Sequence, residues 1–181
     1  HYDPKKEMTV IDENWGNPSA EIIAYLYKYQ ELVNKVDLNY LLDYAIHYIN
    51  NKEEFKSENE LYCYLKLYEV LTKKHSNKID RKITKAVSQL VEKNPQKWIE
   101  YLPQPLDIAS SPEKNRFGMS KSLIKNNLDF VVNLLEEGGV IDLPWGKEFY
   151  DGDLNSAYNE WKGILTLKAL KRLDNYGRID K

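Results

Sequence analysis

Apolar residues recur along this chain at intervals of three and four and seldom alternate with polar ones, so the pattern predicts helices and offers no convincing pair of strands. The strongest segment is Ser57 to Lys74, SENELYCYLKLYEVLTKK. On a helical wheel Tyr62, Lys66, Glu69 and Lys73 share one narrow stripe, whereas Leu61, Cys63, Tyr64, Leu65, Leu67, Tyr68, Val70 and Leu71 cover the rest. A helix apolar over most of its circumference needs cover on more than one side, so a helix over 58–74 is expected at the centre of the fold. Ser57 and Glu60 have the spacing of a capping box, in which each side chain satisfies a backbone donor of the other. Glu69 and Lys73 are expected to form an exposed i,i+4 pair worth roughly 0.3 kcal/mol.

The same periodicity places the remaining helices around it. Asn17 is a candidate cap and Pro18 a first helical residue, followed by Ile22, Tyr25, Leu26, Tyr29, Leu32 and Val33 as an inward stripe. Asp37 caps a second helix with Leu38, Leu41, Leu42, Ala45 and Ile49 inside, joined to the first by a loop short enough to force a hairpin. After a polar connection at 74–77, Ile79, Ile83, Ala86, Val87, Leu90 and Val91 mark a fourth helix ending at Asn94-Pro95. Pro95 opens a short helix that turns Trp98, Ile99 and Leu102 to one side. A sixth helix runs from Ser120 to a left-handed cap at Gly138, with Leu123, Ile124, Leu128, Val131, Val132, Leu134 and Leu135 on a wide apolar face. Asp153 caps the last one, whose stripe is Leu154, Ala157, Tyr158, Trp161, Leu165, Ala169 and Leu173.

The fold class expected is therefore all-α, an irregular antiparallel helical bundle or short helical-hairpin array of about seven helices. Residues 1–16 lack a sustained period and read as an extended or disordered lead-in, 17–175 as a single helical domain, and 176–181 as a frayed tail. Two stretches resist assignment. Pro103 to Ser120 carries at most one helical turn at Ser111-Pro112-Glu113, and loops of that length are more often functional or mobile than decorative. Val140 to Gly152, VIDLPWGKEFYDG, is irregular as well.

Composition narrows the class of function. The chain has 181 residues, enough to bury a sizeable core, and a formal net charge of −2, far from the basic balance expected of a general nucleic-acid binder. Its one cysteine, Cys63, excludes an intrachain disulfide and sits where a small core residue is wanted. No run of about 18 apolar residues occurs, so no transmembrane segment is expected in these residues. The chain opens on His1 rather than methionine, which leaves the compartment open between the cytoplasm and export after removal of a secretion or lipoprotein signal. Lysine far outnumbers arginine, and asparagine, tyrosine and isoleucine are abundant, which fits an AT-rich, bacterial-type coding sequence.

Candidate chemistry is sparse. The chain has no phosphate-binding glycine loop, dinucleotide fingerprint, H-E-x-x-H, paired CxxC, G-x-S-x-G or calcium loop, so no cofactor and no metal are expected. Asp43 and His47 lie one helical turn apart, a spacing at which carboxylate and imidazole can share a proton or a metal, yet two polar residues on a solvated face are commonplace and two ligands do not make a metal site. Lys73, Lys74, His75, Lys78, Arg81, Lys82 and Lys85 form a basic run at a helix junction, read as a solvated face because no exposed aromatics interleave it. More promising are the aromatics. Tyr40, Tyr44 and Tyr48 form a ladder at i,i+4, and Trp15, Trp98 and Trp145 each neighbour a proline or glycine outside the long helices. Packing between helices is the competing role for the tyrosines, and anchoring loops onto the core that for the tryptophans.

With every recognisable catalytic constellation missing, the sequence points by elimination to a non-catalytic protein-interaction domain with another protein as its partner and Tyr40, Tyr44, Tyr48, Trp98 and Trp145 as its binding surface. An immunity- or antitoxin-like protein and the soluble part of an exported lipoprotein are two specific forms of that expectation. The alternative is an enzyme that gathers acids such as Asp43, Glu136 and Glu137 around His47, since catalytic groups need meet only in space.

Overall fold

The computed structural model describes residues 14–148 and 156–180 in full and the backbone alone at 2–3, 8–9 and 155. Apart from one two-residue strand pair, the chain within these residues is all-α, with seven helices. Of the lead-in, Tyr2–Asp3 pairs antiparallel with Met8–Thr9, and most of the rest lies outside the described residues. The chain divides into two compact units, residues 1–90 and 91–181.

The first unit holds α1 (Gly16–Lys28), α2 (Leu38–Asn51), α3 (Glu58–Val70) and α4 (Lys73–Leu90). Each of α1 and α4 packs on both α2 and α3. Asp37 accepts from Tyr40 N at 3.0 Å and Ser57 accepts from Glu60 N at 3.1 Å, so both expected N-caps are in place. Asn17 is extended and regular helix follows from Pro18. The apolar arc of α3 is covered as expected, with Leu61, Cys63, Tyr64, Leu65 and Leu67 buried. That helix is shorter than its apolar run. It stops at Val70, Leu71 turns extended, and Thr72 starts α4 with its carbonyl accepting from His75 N and Ser76 N at 2.9 Å. Thr72 is a natural cap whose signal the continuous apolar run conceals, and the break puts Glu69 and Lys73 in different helices.

The inner face of α1 also differs from the expected one. Ile22, Tyr25, Tyr29 and Leu32 are exposed, and Gly16, Ala20, Ile23 and Ala24 are buried against the neighbouring helices. Small residues win the inner position because they let two helix axes approach closely, which a stripe of tyrosines prevents. A Cβ at Gly16 would lie 2.5 Å from the Tyr64 ring, so this position has room only for hydrogen.

The second unit holds α5 (Pro105–Ile108), α6 (Lys121–Gly138) and α7 (Asn155–Asn175). Pro95–Lys97 is a single 3-10 turn capped by Asn94, four residues beyond the end of α4. It buries Trp98 but leaves Ile99 and Leu102 exposed, because one turn cannot align three side chains on one face. The long segment from Pro103 to Ser120 folds inward. Leu106, Ile108, Ala109, Phe117 and Met119 are all buried, and α5 forms there through a capping box between Gln104 and Asp107. Gly138 ends α6 and the left-handed residue is the next one, Gly139 at φ 68°. The expected cap at Asp153 and the stripe residue Leu154 lie outside the described residues.

Candidate interaction surface

The residues singled out from sequence fall into the two units, Tyr40, Tyr44 and Tyr48 in the first and Trp98 and Trp145 in the second. On α2 the tyrosines form a continuous aromatic ladder with Trp15. The indole of Trp15 meets Tyr44 edge to face at 4.7 Å and Tyr48 at 5.2 Å, and Tyr40 meets Tyr44 at 6.5 Å. Trp15 N donates to the Tyr48 hydroxyl at 3.0 Å, which ties the backbone before α1 to the inner rung. The outer rungs stand free of the core, Tyr40 at 65% and Tyr44 at 45% exposure. Trp15 thus acts as a wedge that fixes ring positions on the solvent side of an otherwise ordinary amphipathic helix.

Beneath the ladder lies a buried ionic centre that the sequence does not announce. Glu60, 1% exposed, sends Oε1 to Gly16 N at 3.1 Å and Oε2 to Lys52 Nζ at 2.5 Å. It therefore does not close the expected capping box, of which only the Ser57 half forms. Lys52 Nζ also donates to Asn14 Oδ1 at 3.0 Å and lies over the rings of Tyr48 at 5.4 Å and Phe55 at 5.8 Å. Burial, with the Glu60 carboxylate beside it, pushes the Tyr64 phenol far above its ordinary range, so it stays neutral and donates to Ala45 O at 3.0 Å. The start of α1, the end of α2 and the start of α3 are thereby tied at one point. That point lies directly under the wedge.

In the second unit Trp98 is a core residue. It is 2% exposed, its Nε1 donates to Glu92 O at 2.8 Å, and its ring meets Phe130 edge to face at 5.6 Å. Trp145 is half-buried between Tyr101 at 5.4 Å and Trp161 at 5.6 Å, in a local aromatic cluster. The buried polar groups described in this unit satisfy one another. Asn127, fully buried, accepts from Leu106 N and donates to Gln104 Oε1, both at 3.0 Å, and Gln104 donates to Trp98 O at 2.6 Å. No buried side-chain nitrogen or oxygen among the described residues lacks a partner.

Asp107 joins this network to α7 through Arg172 at 2.6 Å and Lys168 at 3.4 Å. Burial alone would raise its pKa, but the Arg172 and Lys168 charges outweigh that and hold the carboxyl below its ordinary value. A folded-state pKa below the unfolded one means that the stabilisation is complete above about pH 4 and is lost as pH falls through the folded value. The stability difference between the wild type and Asp107→Asn, followed by urea denaturation, is therefore expected to be full at neutral pH and to shrink as the pH is lowered through the acid range.

The remaining candidates are dispersed. Asp43 and His47 are both exposed, and the His47 ring pairs with Asn51 Nδ2 through Nε2 at 2.7 Å. Among the described residues no group of three His, Cys, Asp or Glu side chains is placed to hold a metal ion. In the basic run, Lys82 and Lys85 both reach the exposed carboxylate of Glu53, at 3.1 and 2.7 Å, and their hydrogen bonds and charges lower its pKa to about 2. Cys63 is buried and its thiol is pushed up to about 11 by burial and the nearby Glu21 carboxylate, so it is protonated at neutral pH. No helix among the described residues is long and apolar enough to cross a membrane.

Sequence reasoning missed two features here. The signal for the α1 face is the small-residue series Gly16, Ala20, Ala24, which fits close helix packing better than the tyrosine stripe does. Glu60 carries no comparable signal, because a glutamate three residues after a serine is what a solvated capping box also provides. No protein-family model, curated protein or solved structure matches this chain.

Proposed function

We propose that the first unit is a protein-interaction module whose contact surface is the outer part of the aromatic ladder, Tyr40 and Tyr44, with Trp15 and Tyr48 as its support. The observation that carries this reading is the wedge: Trp15 lies against both Tyr44 and Tyr48 and is hydrogen-bonded to the latter, so Tyr44, the ring that Tyr40 meets, is held before a partner arrives. Preorganised aromatic surface loses little side-chain entropy on binding, which is why tyrosine and tryptophan dominate the energetic centres of interfaces. The exposed Ile22, Tyr25, Tyr29 and Leu32 supply further apolar surface on the same unit.

The test is affinity capture from a lysate of the source organism with wild type and a Tyr40→Ala, Tyr44→Ala variant. A protein partner bound stoichiometrically by the wild type and lost from the variant, at unchanged helical circular dichroism, is the expected result. A partner retained equally by both proteins places the surface elsewhere and defeats this assignment.

A further inference from the structure

Helix α7 is apolar on two opposite sides. Its inner side is occupied within the second unit: Ala169 and Leu173 are buried, Arg172 reaches Asp107, and Thr166 Oγ1 accepts from Ile141 N at 2.9 Å. Its outer side is exposed and carries Ile164 and Leu167, each at 53% exposure, with Leu170 beside them. A surface helix ordinarily turns polar residues outward, so three large aliphatics together on the outer arc make an unpartnered apolar face.

The charges on that face are self-complementary. Glu160, Ile164, Leu167 and Lys171 follow one another at steps of four, three and four, which places them in a single line along the helix. All four are exposed, and among the described residues neither Glu160 nor Lys171 has an ion-pair partner. Because Glu160 lies four residues before Ile164 and Lys171 four residues after Leu167, an antiparallel copy that sets Ile164 on Leu167 also sets Glu160 opposite Lys171. Two-fold symmetry repeats both pairings. Gly163 lies on the Leu170 flank of the line, and a Cβ there would meet nothing within 4 Å, which leaves room for Leu170 of the second copy. A patch that is its own complement is what a two-fold homodimer requires.

We infer that the outer face of α7 is a self-association surface on which a second copy of this chain docks antiparallel through Ile164 and Leu167, with Glu160 and Lys171 fixing the register. Sedimentation velocity of the whole chain over a wide concentration range tests it. The wild type shifts from monomer to dimer as concentration rises. Glu160→Lys and Lys171→Glu, each alone, place like charges opposite one another twice and weaken association roughly tenfold or more. Mixing the two single variants restores it, since each then meets its opposite charge, and the double exchange in one chain behaves like the wild type. Unchanged circular dichroism shows that these surface variants fold. A wild type that stays monomeric at all concentrations overturns the inference, as does a dimer indifferent to the single charge reversals or a mixture no tighter than its components.

Discussion

Replacing Glu60 with alanine is expected to destabilise the first unit by about 3 kcal/mol, near the lower end of the cost of breaking a buried ion pair. The substitution removes two acceptors at once. Lys52, whose side chain is only 17% exposed, keeps its charge without the carboxylate, and Gly16 N loses its acceptor beneath Trp15. Some relief comes because the lysine retains Asn14 and the rings of Tyr48 and Phe55. Changing both partners, with Glu60→Gln and Lys52→Met, is expected to cost less than the two single changes together, because no unpaired charge is left inside. Urea denaturation followed by helical circular dichroism measures the Glu60→Ala loss and, across the wild type, the two single variants and the double variant, this coupling. Strict additivity would mean that the pair contributes nothing as a pair.

Trp98→Ala is expected to cost the second unit about 3–5 kcal/mol, the usual range for deleting a large buried aromatic. The ring fills the space beside Phe130, and its loss also leaves Glu92 O without the indole N–H. Trp98→Phe keeps much of the volume but not the donor, so a smaller loss of about 1–3 kcal/mol is expected, set by the orphaned carbonyl. Hydrogen exchange resolved along the chain is the appropriate readout, since the loss belongs to residues 91–148 and 156–180, and protection of α3 reports whether the first unit is affected. A Trp98→Ala protein with unaltered protection around α5 and α6 would contradict the core role.

What the sequence made legible follows from which forces are local. Helix identity was readable because the three-to-four spacing and the caps at Asp37 and Ser57 act within a single turn. The orientation of α1 was carried only by the small-residue series Gly16, Ala20 and Ala24, which takes its meaning from α3 packing against it. Trp98 illustrates the same limit. Its place near a proline suits a surface anchor and a core residue equally, and only the carbonyl of Glu92 and the ring of Phe130 decide between them. The ladder itself was visible as Tyr40, Tyr44 and Tyr48, but its wedge was hidden because Trp15 reaches Tyr48 across 33 residues of chain. Likewise Glu60 meets Gly16 across 44 residues, and no window on the sequence spans that distance.

The clasp that α7 makes on α5 has a consequence for how the protein is born. Arg172 reaches Asp107, Asn175 reaches Ser110 and Tyr176 reaches Ala109, spans of 65 to 67 residues. Asp107 is at once the capping residue of a four-residue helix and the partner of Arg172, and so short a helix has no stability of its own. On the ribosome the helices of the first unit have their main partners by the time residue 90 emerges, whereas α5 meets α6 only after about residue 138 and its clasp from Arg172, Asn175 and Tyr176 only after about residue 176 has left the tunnel. Between those two events the segment that carries Leu106, Ile108 and Ala109 rests on α6 alone, so its last ties form at the very end of synthesis.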